Sequence, residues 1–201
     1  LSQGVAALIA GMQPLLTAAV VGIALGERVS RMQWAGFLLG FAGLFIVLSE
    51  QLGIGDATTL GFIFSGLTPI FITVASLYQK KFCADSDLRI VMIVQQATAG
   101  VCNFCIATAF ETGEVTWGFD IIFVWLWLAV ILTVGATNLL YLMLRHGEAA
   151  RVSSLFYLTP PTAVLLGWLS YGETMGLVAM IGFAVSVAGV FLVTRPAKDA
   201  P

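Results

Sequence analysis

Residues 14–47, PLLTAAVVGIALGERVSRMQWAGFLLGFAGLFIV, lie without a gap over residues 160–193, PPTAVLLGWLSYGETMGLVAMIGFAVSVAGVFLV, at an offset of 146. Nine of the 34 paired positions are identical: Pro14/Pro160, Gly26/Gly172, Glu27/Glu173, Gly36/Gly182, Phe37/Phe183, Ala42/Ala188, Gly43/Gly189, Phe45/Phe191 and Val47/Val193. Shared greasiness alone would match Leu, Ile and Val. Six of the nine matches fall instead on proline, glycine, one acid and alanine, so the chain carries two copies of one unit.

What surrounds the copies is lipid-like. Hydrophobic residues make up 59% and charged residues 10%, and the mean hydropathy is +0.99, beyond what a soluble core requires. A spanning helix needs about 20 mostly apolar residues. Seven stretches qualify, at 5–25, 32–48, 58–79, 90–110, 121–144, 152–172 and 174–194. Turn chemistry at 53–56 (Gly-Ile-Gly-Asp) and 111–114 (Glu-Thr-Gly-Glu) separates them and leaves no room for a soluble domain. The expected class is all-α: a polytopic bundle of seven transmembrane helices whose first partner is the lipid bilayer. Nothing in the chain points to nucleic acid.

All nine cations obey one rule of sidedness. Arg28 and Arg31 follow the first span, Lys80, Lys81 and Arg89 the third, Arg145 and Arg151 the fifth, and Arg195 and Lys198 the seventh. Short loops that hold Lys and Arg stay cytoplasmic, which puts Leu1 outside and the C-terminus in the cytoplasm of a cell (inner or plasma) membrane. The first span then runs inwards and its copy, the sixth, runs outwards, so the repeat is inverted. Inverted repeats are a recurrent plan of secondary transporters, whose near-equivalent halves open a central site alternately to each side.

The prolines are the second pointer. In a helix, proline removes a backbone donor and frees a carbonyl, which in lipid must find another partner. Pro14 and the Pro160-Pro161 pair, at matching places, mark either a binding site at the repeat interface or kinks that shape the bundle. Gln13 and Thr17 flank the first; Tyr157, Thr159 and Thr162 flank the second. Span four adds Gln95, Gln96 and Asn103, and span five adds Thr133, Thr137, Asn138 and Tyr141. Neutral amides and hydroxyls at membrane depth face protein or water: as a solute pathway, or as helix-to-helix glue. Ser65, Thr68 and Ser76 are weaker candidates, because a short hydroxyl can bond its own helix.

No Asp, Glu, Lys, Arg or His falls within the seven spans, which argues against an internal proton carrier. Glu27 and Glu173, at matching helix ends, serve either as favourable charges at the following helix N-terminus or in gating. Ser30 with Gln33 spells a capping box. Gly36, Gly40 and Gly43, and their copies Gly182, Ser186 and Gly189, form small-residue seams that let backbones approach closely, inside the bundle or in a homodimer. Cys102 and Cys105 spell CxxC without a second thiol pair or a histidine to complete a metal site, and His146 lies in a cytoplasmic loop.

The residues resemble a known family. Ala-Ala-Leu-Ile-Ala-Gly-Met-Gln-Pro-Leu-Leu-Thr at 6–17, Leu-Gly-Glu-Arg-Val-Ser at 25–30, Gln-Trp-Ala-Gly-Phe-Leu-Leu-Gly-Phe-Ala-Gly at 33–43, Tyr-Leu-Thr-Pro-Pro at 157–161 and Gly-Glu-Thr at 172–174 look like the paired EamA repeats of the drug/metabolite transporter superfamily. The resemblance implies ten helices in two inverted repeats. Residues 1–50 would supply the last two helices of the first repeat and 57–195 all five of the second, leaving three helices before Leu1. It implies an exporter of small organic metabolites or drugs that works by alternating access. No catalytic residue, metal or cofactor is expected. A non-transporting seven-helix receptor, sensor or scaffold fits the helix number but does not account for the repeat, and a membrane enzyme would need paired carboxylates or a nucleophile and base.

Overall fold

The computed structural model describes residues 3–49, 58–111, 118–171 and 176–195; the turn at 53–56, residues 112–114, Glu173 and Lys198 lie outside them. Among the described residues, ten α-helices follow in chain order: α1 (Gln3–Ala10), α2 (Gln13–Leu25), α3 (Arg31–Leu48), α4 (Thr59–Phe82), α5 (Leu88–Phe110), α6 (Phe119–Trp127), α7 (Thr137–His146), α8 (Ala149–Ser154), α9 (Thr159–Tyr171) and α10 (Leu177–Thr194). A π-helical segment, Leu128–Ala136, joins α6 to α7, and a 3-10 turn, Leu155–Leu158, joins α8 to α9. Among the described residues, six segments are long and apolar enough to cross a membrane: Gly4–Leu25, Arg31–Leu48, Thr59–Phe82, Leu88–Phe110, Phe119–His146 and Leu177–Thr194. The sixth expected span, 152–172, corresponds to α8, its 3-10 turn and α9. Its pieces, like α1 and α2 of the first span, are each shorter than a membrane crossing.

Helix bounds repeat at the same offset as the sequence. Both α2 and α9 are 13 residues long, and Gln13 plus 146 is Thr159. Both α3 and α10 are 18 residues long, and Arg31 plus 146 is Leu177. The first span is also interrupted, at Gly11-Met12, opposite the Tyr157-Leu158 end of the 3-10 turn. The prolines therefore do not bend continuous helices. Pro14, and Pro160 with Pro161, stand in the first turns of α2 and α9, where a missing N–H costs little and the fixed φ suits the helix. α2 closes on Gly26 at φ 72°, a left-handed cap whose N–H bonds Gly22 O at 3.1 Å.

Packing divides the chain into two compact units, residues 1–77 with 147–201 and residues 78–146. Each sequence repeat contributes to the first unit, because the copies pack on one another. Its centre is the α3–α10 pair. A Cβ placed on Gly36 would meet Gly189 O, Val193 Cγ2 and Val193 N at 2.8, 2.8 and 2.9 Å. One placed on the equivalent Gly182 would meet Gly43 O, Val47 Cγ2 and Val47 N at 2.9, 2.6 and 2.8 Å. Those are the same three atoms with the copies exchanged. Gly43 likewise abuts Ser186 N and Gly182 O, as Gly189 abuts Gly40 N and Gly36 O. Partner numbers fall along one helix as they rise along the other, so the helices are antiparallel and related by a pseudo-twofold axis perpendicular to both. That is the geometry of an inverted repeat. It also assigns the small-residue seam to an internal contact.

In the second unit, α6 has no buried residue and α5 buries only Met92 among the described residues. Phe119, Phe123, Trp125 and Trp127 are exposed, as side chains facing acyl chains would be.

Candidate functional site

The expected residues fall into three groups. At the first break, Gln13, Pro14 and Thr17 are buried, on a helix face that meets α4. The Thr17 hydroxyl donates to Gln13 O at 2.9 Å and accepts from Gln13 Nε2 at 3.3 Å. Thr73 Oγ1 lies 3.4 Å from both Thr17 Oγ1 and Gln13 O. This buried cluster joins two helices. Thr73 was not expected from sequence, although Pro69, Thr73 and Ser76, at steps of four and three, share the face of α4 that is buried. That stripe is the signal that identifies it.

At the second break, Tyr157 is fully buried. Its ring lies where Gly40 lacks a side chain: a Cβ there would stand 2.6 Å from Tyr157 Cδ2. The phenol oxygen has no hydrogen-bond partner among the described residues. Pro161 is buried, Pro160 half-buried and Thr159 exposed, and the Thr162 hydroxyl donates to Leu158 O. The breaks match in place and differ in content, since Gly11 stands where the second copy has Tyr157.

The second unit holds a cleft of about 320 Å³ between α5 and the segment that runs from the π-helix into α7. Arg89, Met92, Ile93 and Gln96 line one side, at the i, i+3, i+4, i+7 spacing of one helix face; Thr133, Val134 and Asn138 line the other. The π register leaves Thr133 and Thr137 bonding carbonyls five residues back, at Leu128 O (3.2 Å) and Leu132 O (3.3 Å). Asn138 Nδ2 donates to Val134 O at 2.6 Å. Gln95 lies off the cleft and donates to Gln79 Oε1 at 2.7 Å. Asn103 is also off it, bonding Ala99 O at 2.8 Å. Tyr141 lines a smaller pocket with Gln79, Cys83 and Leu144.

At the expected cytoplasmic end of the first unit, Glu27 reaches across to another helix. Its Oε2 accepts from Ala149 N at 2.9 Å and so caps α8. The Ser30–Gln33 capping box forms, with Gln33 N donating to Ser30 Oγ at 3.2 Å and Ser30 N to Gln33 Oε1 at 2.7 Å. Gln33 Nε2 reaches Glu148 Oε2 at 3.3 Å and Val193 O at 3.5 Å, and Glu148 pairs with Arg151 at 2.9 Å. The copy of this box reads Gly176 and Ala179, and Gly176 supplies no side-chain cap.

The profile of the EamA-like transporter family matches residues 59–195. An uncharacterized transporter, YvbV, of Bacillus subtilis is 24% identical over 98% of this chain, which spans 65% of that protein's length. A probable amino-acid metabolite efflux pump of Escherichia coli is 21% identical over 94% of this chain and 66% of its own length. An uncharacterized transporter of Archaeoglobus fulgidus is 28% identical over the same shares. A protein of known crystal structure superimposes with a TM-score of 0.80 at 24% identity, covering 96% of this chain and 66% of that one; it shares the fold.

Proposed function

Because this chain, a multi-pass membrane protein, belongs to the EamA-like transporter family, we propose that it is the greater part of a transporter that moves small organic solutes outwards by alternating access. The observation that carries this reading is the self-symmetric α3–α10 pair flanked by spans broken at equivalent positions. Two copies that exchange roles about an axis in the membrane plane supply two near-equal states, one open to each side. The printed name of the Escherichia coli relative supports amino-acid metabolites and export. The cation pattern supports Leu1 outside and the C-terminus in the cytoplasm.

In this mechanism the α3–α10 seam is the pivot and the interrupted helices are the moving parts. The cluster at Gln13, Thr17 and Thr73 fixes one break, the Tyr157 ring on Gly40 fixes the other, and the cleft at Gln96 and Asn138 belongs to the solute's path. Efflux and uptake assays of the full-length protein test this. Substitution of Tyr157, Gln96 or Asn138 is expected to lower the transport rate at least ten-fold while leaving the protein folded, and Pro14→Ala to lower it less. Wild-type rates from all four variants would overturn the assigned path.

A further inference from the structure

One of the residues that line the cleft beside α5 is charged. Arg89 lines it together with Gln96, Thr133 and Asn138, and the guanidinium makes no ion pair among the described residues. Asp87, the acid nearest in sequence, is occupied elsewhere, its Oδ1 accepting from the Arg89 backbone N–H at 2.9 Å as the cap of α5. Two helical turns separate Arg89 from Gln96, roughly 10 Å, enough to bind one charged and one neutral polar end of a small solute. A volume of about 320 Å³ is at the lower end of those that hold small ligands. The remaining lining is apolar, and a low-dielectric wall lengthens the reach of a charge.

We propose that Arg89 makes this cleft selective for solutes that carry a carboxylate, with Gln96, Thr133 and Asn138 meeting the solute's neutral polar groups. A guanidinium presents two parallel donors that match a carboxylate's two oxygens. This narrows the substrate class of the transport reading and rests on it. An anionic lipid headgroup offers the same chemistry to a cation at the end of a span, so the test separates the two.

In the full-length protein with Cys83, Cys102 and Cys105 replaced by serine, Gln96→Cys and Asn138→Cys are labelled in nanodiscs by a methanethiosulfonate bearing either a sulfonate or a quaternary ammonium. Ser49→Cys, on an exposed helix end, reports intact folding. The sulfonate reagent is expected to be favoured at both cleft positions. Arg89→Gln should slow it and speed the ammonium reagent by roughly four-fold each, a change of about ten-fold or more in the ratio, while Arg89→Lys preserves the ratio. A ratio unmoved by Arg89→Gln overturns the proposal and leaves an aqueous cleft. No labelling at either position while Ser49→Cys reacts overturns the cleft as part of the solute's path as well. A preference seen in zwitterionic nanodiscs but abolished when anionic lipid is added assigns Arg89 to a headgroup and overturns the solute claim.

Discussion

The α3–α10 seam and the cleft beside α5 are built from opposite materials. In the seam, Gly36, Gly43, Gly182 and Gly189 bring two backbones so close that no Cβ fits, and the contacts repeat when the copies are exchanged. Along the cleft, no glycine holds the helices together. A Cβ at Gly100 would meet nothing within 4 Å, and Thr133 and Asn138 spend hydrogen bonds on their own helix. Lipid supplies little hydrophobic force between helices, so association relies on close van der Waals packing and interhelical hydrogen bonds. The seam has abundant close packing. The cleft has little.

The largest expected effect breaks the seam. Gly43→Leu drives a side chain into Ser186 N and Gly182 O, which are backbone and cannot yield. We expect a loss of about 3 kcal/mol or more, read as a lowered midpoint of thermal unfolding in detergent. Gly189→Leu should match it, as the exchanged position. Gly100→Leu should stay within about 0.5 kcal/mol of the parent. A Gly43→Leu protein as stable as Gly100→Leu would remove the seam's special status.

Two smaller effects test polar contacts within the first unit. Thr17→Val keeps the shape and deletes the hydroxyl that accepts from the buried Gln13 amide; leaving that donor unpaired should cost about 1–2 kcal/mol in the same unfolding measurement. Glu27→Ala removes the cap on α8 and should cost about 1 kcal/mol. Amide exchange then gives a sharper reading: the Ala149 N–H should lose protection in Glu27→Ala, while Trp34 N–H, inside α3, keeps its own.

Much of the seam was legible in the sequence and little of the cleft was. Glycines at Gly36/Gly182 and Gly43/Gly189 recur in both copies because both flanks of one close contact need them, so the repeat exposes the interface. A small-residue stripe states that something approaches closely and leaves the partner open; the antiparallel pairing resolves that. The prolines pointed to the breaks, as a binding site or as kinks, since sequence alone does not say that a helix restarts one residue before Pro14. Arg89 was hidden by its other meaning, a cation that marks the inner side of a span. The π segment Leu128–Ala136 is spelled LAVILTVGA, which reads as an ordinary apolar helix, because the register is set by backbone bonding rather than by residue type. Gln96 and Asn138 were chosen as polar residues at depth and do share the cleft, whereas Asn103, chosen on the same ground, bonds its own backbone outside it.

The smallest expected effect concerns the bond that ties α4 to α5 in the second unit. Gln95 Nε2 donates to Gln79 Oε1 at 2.7 Å, and Gln79 is buried. Interhelical side-chain hydrogen bonds in membranes contribute about 0.6 kcal/mol on average, because the separated helices also find partners. Gln79→Leu and Gln95→Leu should each cost about that much, and the double variant little more than either alone, since removing both partners leaves no unpaired amide. The double-mutant cycle in the unfolding midpoint then gives a coupling near the cost of one variant. A coupling of zero would mean that the second unit is held by shape alone, like the seam. A coupling well above 1 kcal/mol would make this single bond a stronger tie than the membrane average, and the contrast between a glycine-locked unit and a loosely bonded one would shrink accordingly.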